Sequence, residues 1–311
     1  MRTLSWSSRF RAGILLAAAA LLAAVLQAGL HGQVFRTMVD VVSVGVTVVD
    51  GKGGLVTDLS AAEFDIFEDG ARQDVKFFSR GDAVAAAPEL HLGIMFDTSD
   101  SMDEDIALSR SAAIKFLNAQ PDAVDVTLVD FDAKVRVARF EPPDFPRLVE
   151  RIRARKPEGM TAFYDALGVY LDGAAGQQGR RIVVVYSDGA DNRSSLTFPE
   201  IVDLIKASDV TIYGIGFLNN LSGSEQFDAR SRLQRLVEPT GGQAFFPSSL
   251  KDIETAYERV LGDIRAQYTI GYVSSNASAN GRWRKVDIKL RRPGLKVRAR
   301  QGYYAPYRRQ P

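Results

Sequence analysis

Leu90-His91-Leu92-Gly93-Ile94-Met95-Phe96-Asp97-Thr98-Ser99-Asp100-Ser101 is the stretch that decides how this chain reads. Leu90 to Phe96 is a short apolar run, and Asp97 ends it. Such a run reads as a strand covered on both faces. Beyond it, Ile106, Ala113, Ile114 and Leu117 recur at helical spacing over residues 106–119. Strand, polar turn and helix in that order make the first unit of an α/β sheet. In open α/β sheets, ligands bind beyond the carboxyl ends of the strands, where strand order reverses. The turn puts Asp97, Ser99 and Ser101 at such an end, one carboxylate with two hydroxyls. Oxygen donors of this kind suit hard divalent cations such as Mg²⁺.

The alternation continues outward. Val124 to Phe131 reads as a strand, with a turn at Asp132-Ala133 into Val135 and Val137. Ile182–Tyr186 and Val210–Phe217 read as buried strands, and Ala244–Phe246 as a short one after Gly241-Gly242. Helices are expected over 145–152, 161–171, 198–205 (Thr197 as N-cap), 227–237 and 250–268. The sum is a doubly wound, mostly parallel sheet with helices on both faces. Two more loops fall at the same sheet edge: Gly159-Met160-Thr161-Ala162, and Ser187-Asp188-Gly189 directly after Ile182–Tyr186. Asp97, Ser99, Ser101, Thr161 and Asp188 then offer fewer ligands than an octahedral ion takes. Water or an outside carboxylate must supply the rest. With two carboxylates neutralising it, the ion stays electrophilic toward an acidic partner.

Both flanks are β-rich. Val39, Val41, Val44, Val46, Val48 and Val49 precede the turn Asp50-Gly51-Lys52-Gly53-Gly54. Leu59-Ser60 with Glu63 reads as a capped short turn, and Phe64–Phe67 and Val75–Phe78 as further strands. At the other end Tyr268, Ile270 and Tyr272 alternate, as do Val286, Ile288 and Leu290, and then Val297 and Ala299. Neither flank alone buries enough apolar area to stand. Residues 36–82 and 268–307 are therefore expected to pair into one small β-sandwich-like domain, with an α/β domain over 88–267 inserted between its halves. Residues 83–88 read as a linker.

The amino terminus carries Arg2, Arg9 and Arg11 before an apolar run from Ile14 to Leu30. This reads as a signal peptide over 1–32, cleaved near Ala28 or Gly32. An uncleaved membrane anchor is the alternative. A secreted or periplasmic chain is expected. The 311 residues include no Cys and two His, which rules out a disulfide scaffold, a zinc ribbon, a cysteine nucleophile and a multi-histidine centre. The apolar fraction of 46% and charged fraction of 25% are those of a globular protein. A net charge of +1 gives no global pull toward nucleic acid, and none is expected as a partner.

The Asp97-Thr98-Ser99-Asp100-Ser101 turn, the distant Thr161 and Ser187-Asp188-Gly189 resemble the metal-ion-dependent adhesion site of von Willebrand factor type A domains. The resemblance covers about residues 90–265. The whole chain also resembles bacterial secreted proteins that carry this domain. That likeness rests on Thr57-Asp58-Leu59, Phe67-Glu68-Asp69-Gly70 and Arg300-Gln301-Gly302-Tyr303-Tyr304. It implies that Ser99, Ser101 and Thr161 ligate the ion through hydroxyls, Thr161 only in some states. It implies that Asp97 and Asp188 act directly or through water. The ion would be Mg²⁺, or Mn²⁺ or Ca²⁺. Asp100 departs from the family pattern and adds negative charge beside the site. Some relatives bind an adjacent ion at acids placed like Glu104 and Asp105, although acids early in a helix also favour its dipole.

The implied function is a non-enzymatic, exported adhesion-type module whose ion is completed by an Asp or Glu of a protein partner. Two other classes stand beside it: a structural subunit of an envelope assembly with a vestigial site, and a metal-dependent phosphohydrolase. The last is weakened because Ser99 stands where haloacid-dehalogenase-like phosphatases carry a second Asp. Oligomeric state is not legible. Residues 281–311 hold eleven Lys/Arg and one acid, expected to form a solvated strand face, though an anionic surface would also fit. His91 is expected to be a packed core histidine. Tyr303, Tyr304 and Tyr307 are expected to pack at strand ends.

Overall fold

The structure is a computed structural model that describes residues 41–80, 88–119 and 122–307. The signal peptide or anchor, Val39, linker residues 83–87, and Arg308 and Arg309 of the basic tail lie outside the described residues. Four strands come first: β1 (Val41–Val49), β2 (Phe64–Glu68), β3 (Ala71–Gln73) and β4 (Val75–Ser79). The middle runs β5 (Leu90–Asp97), α1 (Ile106–Asn118), β6 (Ala123–Phe131), β7 (Val135–Phe140), α2 (Phe145–Ala154), α3 (Phe163–Ala174) and β8 (Arg180–Ser187). It continues through α4 (Phe198–Ala207), β9 (Thr211–Gly216), α5 (Gly223–Val237), β10 (Ala244–Phe245) and α6 (Leu250–Ala266). The chain closes with β11 (Tyr268–Val273), β12 (Trp283–Leu290), β13 (Lys296–Ala299) and β14 (Gly302–Tyr304). None of the described helices is long and apolar enough to cross a membrane.

The middle elements form a six-stranded sheet of order β10-β9-β8-β5-β6-β7, parallel except for β7. β5 is buried at every position because helices cover both of its faces. On one face Leu92, Ile94 and Phe96 pack with Phe116 of α1, Leu148 of α2 and Val260 of α6. On the other, Met95, Val183 and Val185 pack with Leu167 of α3, Ile201 of α4 and Leu233 of α5. Each such side chain contributes ~1.5–3 kcal/mol by leaving water. The chain runs from β5 outward to β6 and β7, then returns to β8 on the other side of β5. Strand order therefore reverses between β5 and β8, and their carboxyl ends open a crevice.

The flanking strands form two antiparallel sheets, β13-β1-β11-β4 and β14-β12-β2-β3, each drawing on both ends of the chain. Val44, Val46 and Val48 of β1 face Phe64 and Ile66 of β2 and Tyr268, Ile270 and Tyr272 of β11 in a third core. The doubly wound sheet is thus an insertion in a small sandwich made by both flanks.

Local readings changed where tertiary packing decided. The helix expected to reach Tyr268 ends at Ala266. Tyr268 is instead the first residue of β11, wholly buried, its hydroxyl accepting from the Leu59 amide at 3.0 Å and donating to the Val56 carbonyl at 2.9 Å. α5 starts earlier than its apolar spacing suggests because Ser222 and Glu225 form a capping box. Part of the basic tail is the expected solvated face, with Lys285, Lys289 and Lys296 exposed, and part is not. Arg284 lies in the sandwich core, 3.2 Å from the equally buried Glu68, and Arg291, Arg292 and Arg298 pair with Asp65, Asp58 and Asp263. Four arginines of the carboxyl flank are thus neutralised by acids elsewhere in the chain.

Candidate metal centre

Asp97 ends β5 with no exposed surface. The Thr98 amide and hydroxyl both donate to the Phe131 carbonyl, at 2.8 and 3.0 Å, which pins the turn to the end of β6. Ser99 stays extended and Asp100–Met102 form one 3₁₀ turn ahead of α1. Asp97 Oδ1 accepts from the Ser99 amide at 3.0 Å and from its hydroxyl at 2.6 Å. Ser99 Oγ lies 3.2 Å from Ser101 Oγ. Asp97 Oδ2 accepts from the Ser187 hydroxyl at 2.5 Å. A serine that donates to a carboxylate keeps its lone pairs for another ligand.

The other two loops are tied to this turn by backbone bonds. The Glu158 amide donates to the Thr98 carbonyl at 2.9 Å, and the Asp100 amide to the Gly159 carbonyl at 3.0 Å. Gly159 has φ +73°, a conformation that favours glycine. Thr161, which is buried, donates its amide to Asn192 Oδ1 at 2.8 Å, and its carbonyl accepts from the Asn192 and Arg193 amides. Those contacts keep Thr161 out of α3, which begins at Phe163 and not at Thr161. After β8, Gly189 donates its amide to Ser187 Oγ at 2.9 Å. Asp188 Oδ1 accepts from the Ala190 amide at 2.8 Å, while its Oδ2 is buried with no hydrogen-bond partner.

Electrostatics mark the same spot. Burial, and then the charge of Asp188, push the Asp97 carboxyl up to about 7. These outweigh the hydrogen bonds from Ser187 and Ser99, which act to lower it. Two neighbouring buried carboxylates without an ion-pair partner among the described residues, one holding an orphaned oxygen, fit a divalent ion flanked by the hydroxyls of Ser99, Ser101 and Thr161. Among the described residues no three acidic or histidine side chains gather tightly enough to hold an ion by themselves, so any ion here depends on the hydroxyls.

Asp105 precedes α1, but its side chain makes no capping bond. It is buried and accepts from Asn220 Nδ2 at 3.0 Å, and burial together with Glu104 and Asp188 raises its pKa. Glu104 is exposed on the turn before it. His91 sits at the far end of β5, with Nδ1 2.6 Å from Asp125 and Nε2 2.7 Å from the Gln178 carbonyl. Both ring nitrogens are occupied within the fold. Two residues hold the site in place without being among its expected ligands, Ser187 and Asn192. Ser187 stood in the quoted tripeptide, but nothing local indicates that its hydroxyl reaches Asp97. Asn192 is a loop residue whose role appears only when Thr161 lies beside it.

The family model of the von Willebrand factor type A domain matches residues 91–259, more than half of the chain. The chain belongs to that family. Among solved structures, the type A fold is similar to the D319A mutant of the PilB minor pilin of Streptococcus sanguinis (TM-score 0.48, 12% identity, 60% of this chain and 63% of that one). It is also similar to the vWF domain of the type V pili tip protein Mfa5 of Porphyromonas gingivalis (TM-score 0.47, 12% identity, 57% and 97%). A third is a von Willebrand factor type A protein of Catenulispora acidiphila (TM-score 0.45, 12% identity, 88% and 75%). The chain spans less than two thirds of the pilin's length. No curated protein matches it. The assignment to the type A family rests on the sequence match and not on these likenesses.

Proposed function

We propose that this chain is a non-enzymatic protein-binding module of adhesion type, acting outside the cytoplasm, whose divalent ion is completed by an Asp or Glu of a partner. The observation that carries this reading is the pairing of Asp97, held by Ser99 and Ser187, with the unpartnered buried Oδ2 of Asp188. Ser99, Ser101 and Thr161 would hold the ion through neutral oxygens, with Asp97 and Asp188 supplying its negative charge. The ion would be Mg²⁺, or Mn²⁺ or Ca²⁺, and would act as an electrophile toward a carboxylate. An adjacent ion at Glu104 and Asp105 would compete with the bond that Asp105 accepts from Asn220.

Binding is favoured over turnover by the surroundings of Asp97. Both of its oxygens accept serine hydrogen bonds, a poor arrangement for a nucleophile. His91 is at the opposite end of β5 and so is not placed as a general acid or base. The test is calorimetric titration of Mg²⁺ and Mn²⁺ into the wild type, Asp97→Ala and Asp188→Ala. The reading expects measurable binding by the wild type alone. Equal affinity in all three proteins would sink it.

A further inference from the structure

His91 stands on the same face of β5 as Asp97, at the opposite end of the strand. The chemistry at Asp97 makes no use of it. The ring is 6% exposed and lies between two acceptors. Nδ1 is 2.6 Å from Oδ2 of Asp125, a buried β6 residue in register with His91. Nε2 is 2.7 Å from the Gln178 carbonyl, in the loop between α3 and β8. A carbonyl oxygen can only accept, so Nε2 carries a proton. Arg139 of β7 donates from Nη2 to the same Asp125 oxygen. A guanidinium there favours the carboxylate, and a carboxylate also only accepts. Nδ1 then carries a proton as well, and a ring with both protons is an imidazolium.

The other charged and titratable groups around the ring fit this state. Asp125 Oδ1 is buried with no hydrogen-bond partner, so His91 and Arg139 share the one oxygen that is used. Arg181 of β8 is in register with His91 on its other side. It donates Nη2 to Asp209 and Nη1 to the Ala174 carbonyl, so its charge opposes the imidazolium while Asp209 offsets it. Tyr170 of α3 lies over Gly93, and burial together with Asp125 pushes its hydroxyl up, which keeps it neutral. Glu89, just ahead of β5, is the acid on the ring's own segment, and its carbonyl accepts from the Arg180 amide at 2.7 Å. The segments joined here carry the metal centre at their far ends. β5 ends in Asp97, α3 begins just beyond Thr161, and β8 ends in Ser187.

We infer that His91 is a buried imidazolium clamp joining β5 to β6 and to the α3–β8 loop, and that loss of its second proton as pH rises releases that loop. The proton kept is the one on Nδ1, because a bond to a carboxylate is stronger than one to a carbonyl. Nε2 then turns a lone pair toward the Gln178 carbonyl, and two acceptors face each other. The clamp is closed while the ring is charged and opens toward alkaline pH.

The test begins with nitrogen NMR of the full chain labelled at histidine. His31 and His91 are its two histidines, and His31→Gln assigns the signals. At pH 7 the His91 ring should carry two nitrogen-bound protons in the wild type and one in Asp125→Asn, whose neutral amide no longer favours the charged ring. Amide hydrogen exchange over residues 175–181 is then compared between the wild type and His91→Gln, whose side chain cannot bridge the two acceptors. At pH 7 the variant should exchange roughly tenfold faster in that loop, the size of one lost charge-assisted bond. Exchange in the other strands should match, which separates a released loop from general unfolding. The difference should vanish once the pH is high enough for NMR to show that the wild-type ring has lost its second proton. A wild-type ring with one proton at pH 7, or two protons in Asp125→Asn as well, would overturn the proposal. So would equal loop exchange in the wild type and His91→Gln at pH 7, or a difference that persists after the wild-type ring has become neutral.

Discussion

Ser187 at the end of β8 donates its hydroxyl to Asp97 at the end of β5, across 2.5 Å and 90 residues of sequence. The bond spans the crevice where strand order reverses, and it fixes the Asp97 carboxylate while Ser99 holds its other oxygen. Ser187→Ala leaves Asp97 Oδ2 buried without that donor. Urea denaturation should show a loss of about 1–3 kcal/mol, together with weaker Mg²⁺ binding. A stability within error of the wild type would mean that the bond does not hold the turn.

Burial beside Asp188 raises the Asp97 pKa from its ordinary value to about 7. The folded, ion-free protein therefore holds a proton that the unfolded chain releases near pH 4. This contribution to stability is fully present below about pH 4 and is lost as pH rises through about 7. In chelator, Asp97→Asn should flatten that decline and raise the melting temperature at pH 8. Added Mg²⁺ should stabilise the wild type and not the variant. A wild type whose ion-free stability climbs steadily between pH 5 and pH 8 relative to Asp97→Asn would contradict the like-charge pairing.

Glu68 is the hub of the sandwich core. It accepts from Tyr272 at 2.9 Å, Tyr303 at 2.8 Å, Ser274 at 2.6 Å and Arg284 at 3.2 Å. Glu68→Ala strands a buried guanidinium and should cost about 3–5 kcal/mol. Lys115→Ala, which breaks the exposed pair with Glu254, should leave stability close to that of the wild type. Chemical denaturation of both variants checks the contrast.

Two glycines should respond in opposite directions. A Cβ at Gly242 would sit 1.8 Å from the Ile212 carbonyl oxygen, a backbone atom that cannot yield, so Gly242→Ala should be severely destabilised or insoluble. A Cβ at Gly173 in α3 meets nothing within 4 Å. Gly173→Ala should gain about 0.5–1 kcal/mol. Thermal melts of the pair decide it.

Much of this molecule was legible in its residues because burial on both faces leaves a plain signal. Leu90–Phe96 and Ile182–Tyr186 had to be central strands, and the polar turns after them had to share an edge. The pairing of the flanks followed from cores too small to stand alone. What remained hidden depends on partners distant in sequence. Arg284 looked like a solvated strand residue because nothing near it announces Glu68, 216 positions away. Tyr268 both closes a helical pattern and opens a strand alternation, and its burial in the sandwich decides for the strand. Nothing local to Asn192 indicates that its side chain holds the Thr161 amide, 31 positions away.

The account stands on an ion shared by Ser99, Ser101, Thr161 and Asp188, backed by Asp97. Anomalous diffraction from crystals grown with Mn²⁺ tests this most directly. The expected result is one strong peak within bonding distance of the Ser99 and Ser101 hydroxyls, on the side of Asp188 Oδ2. Crystals that bind Mn²⁺ only elsewhere, or leave this crevice without a peak at saturating ion, would contradict it.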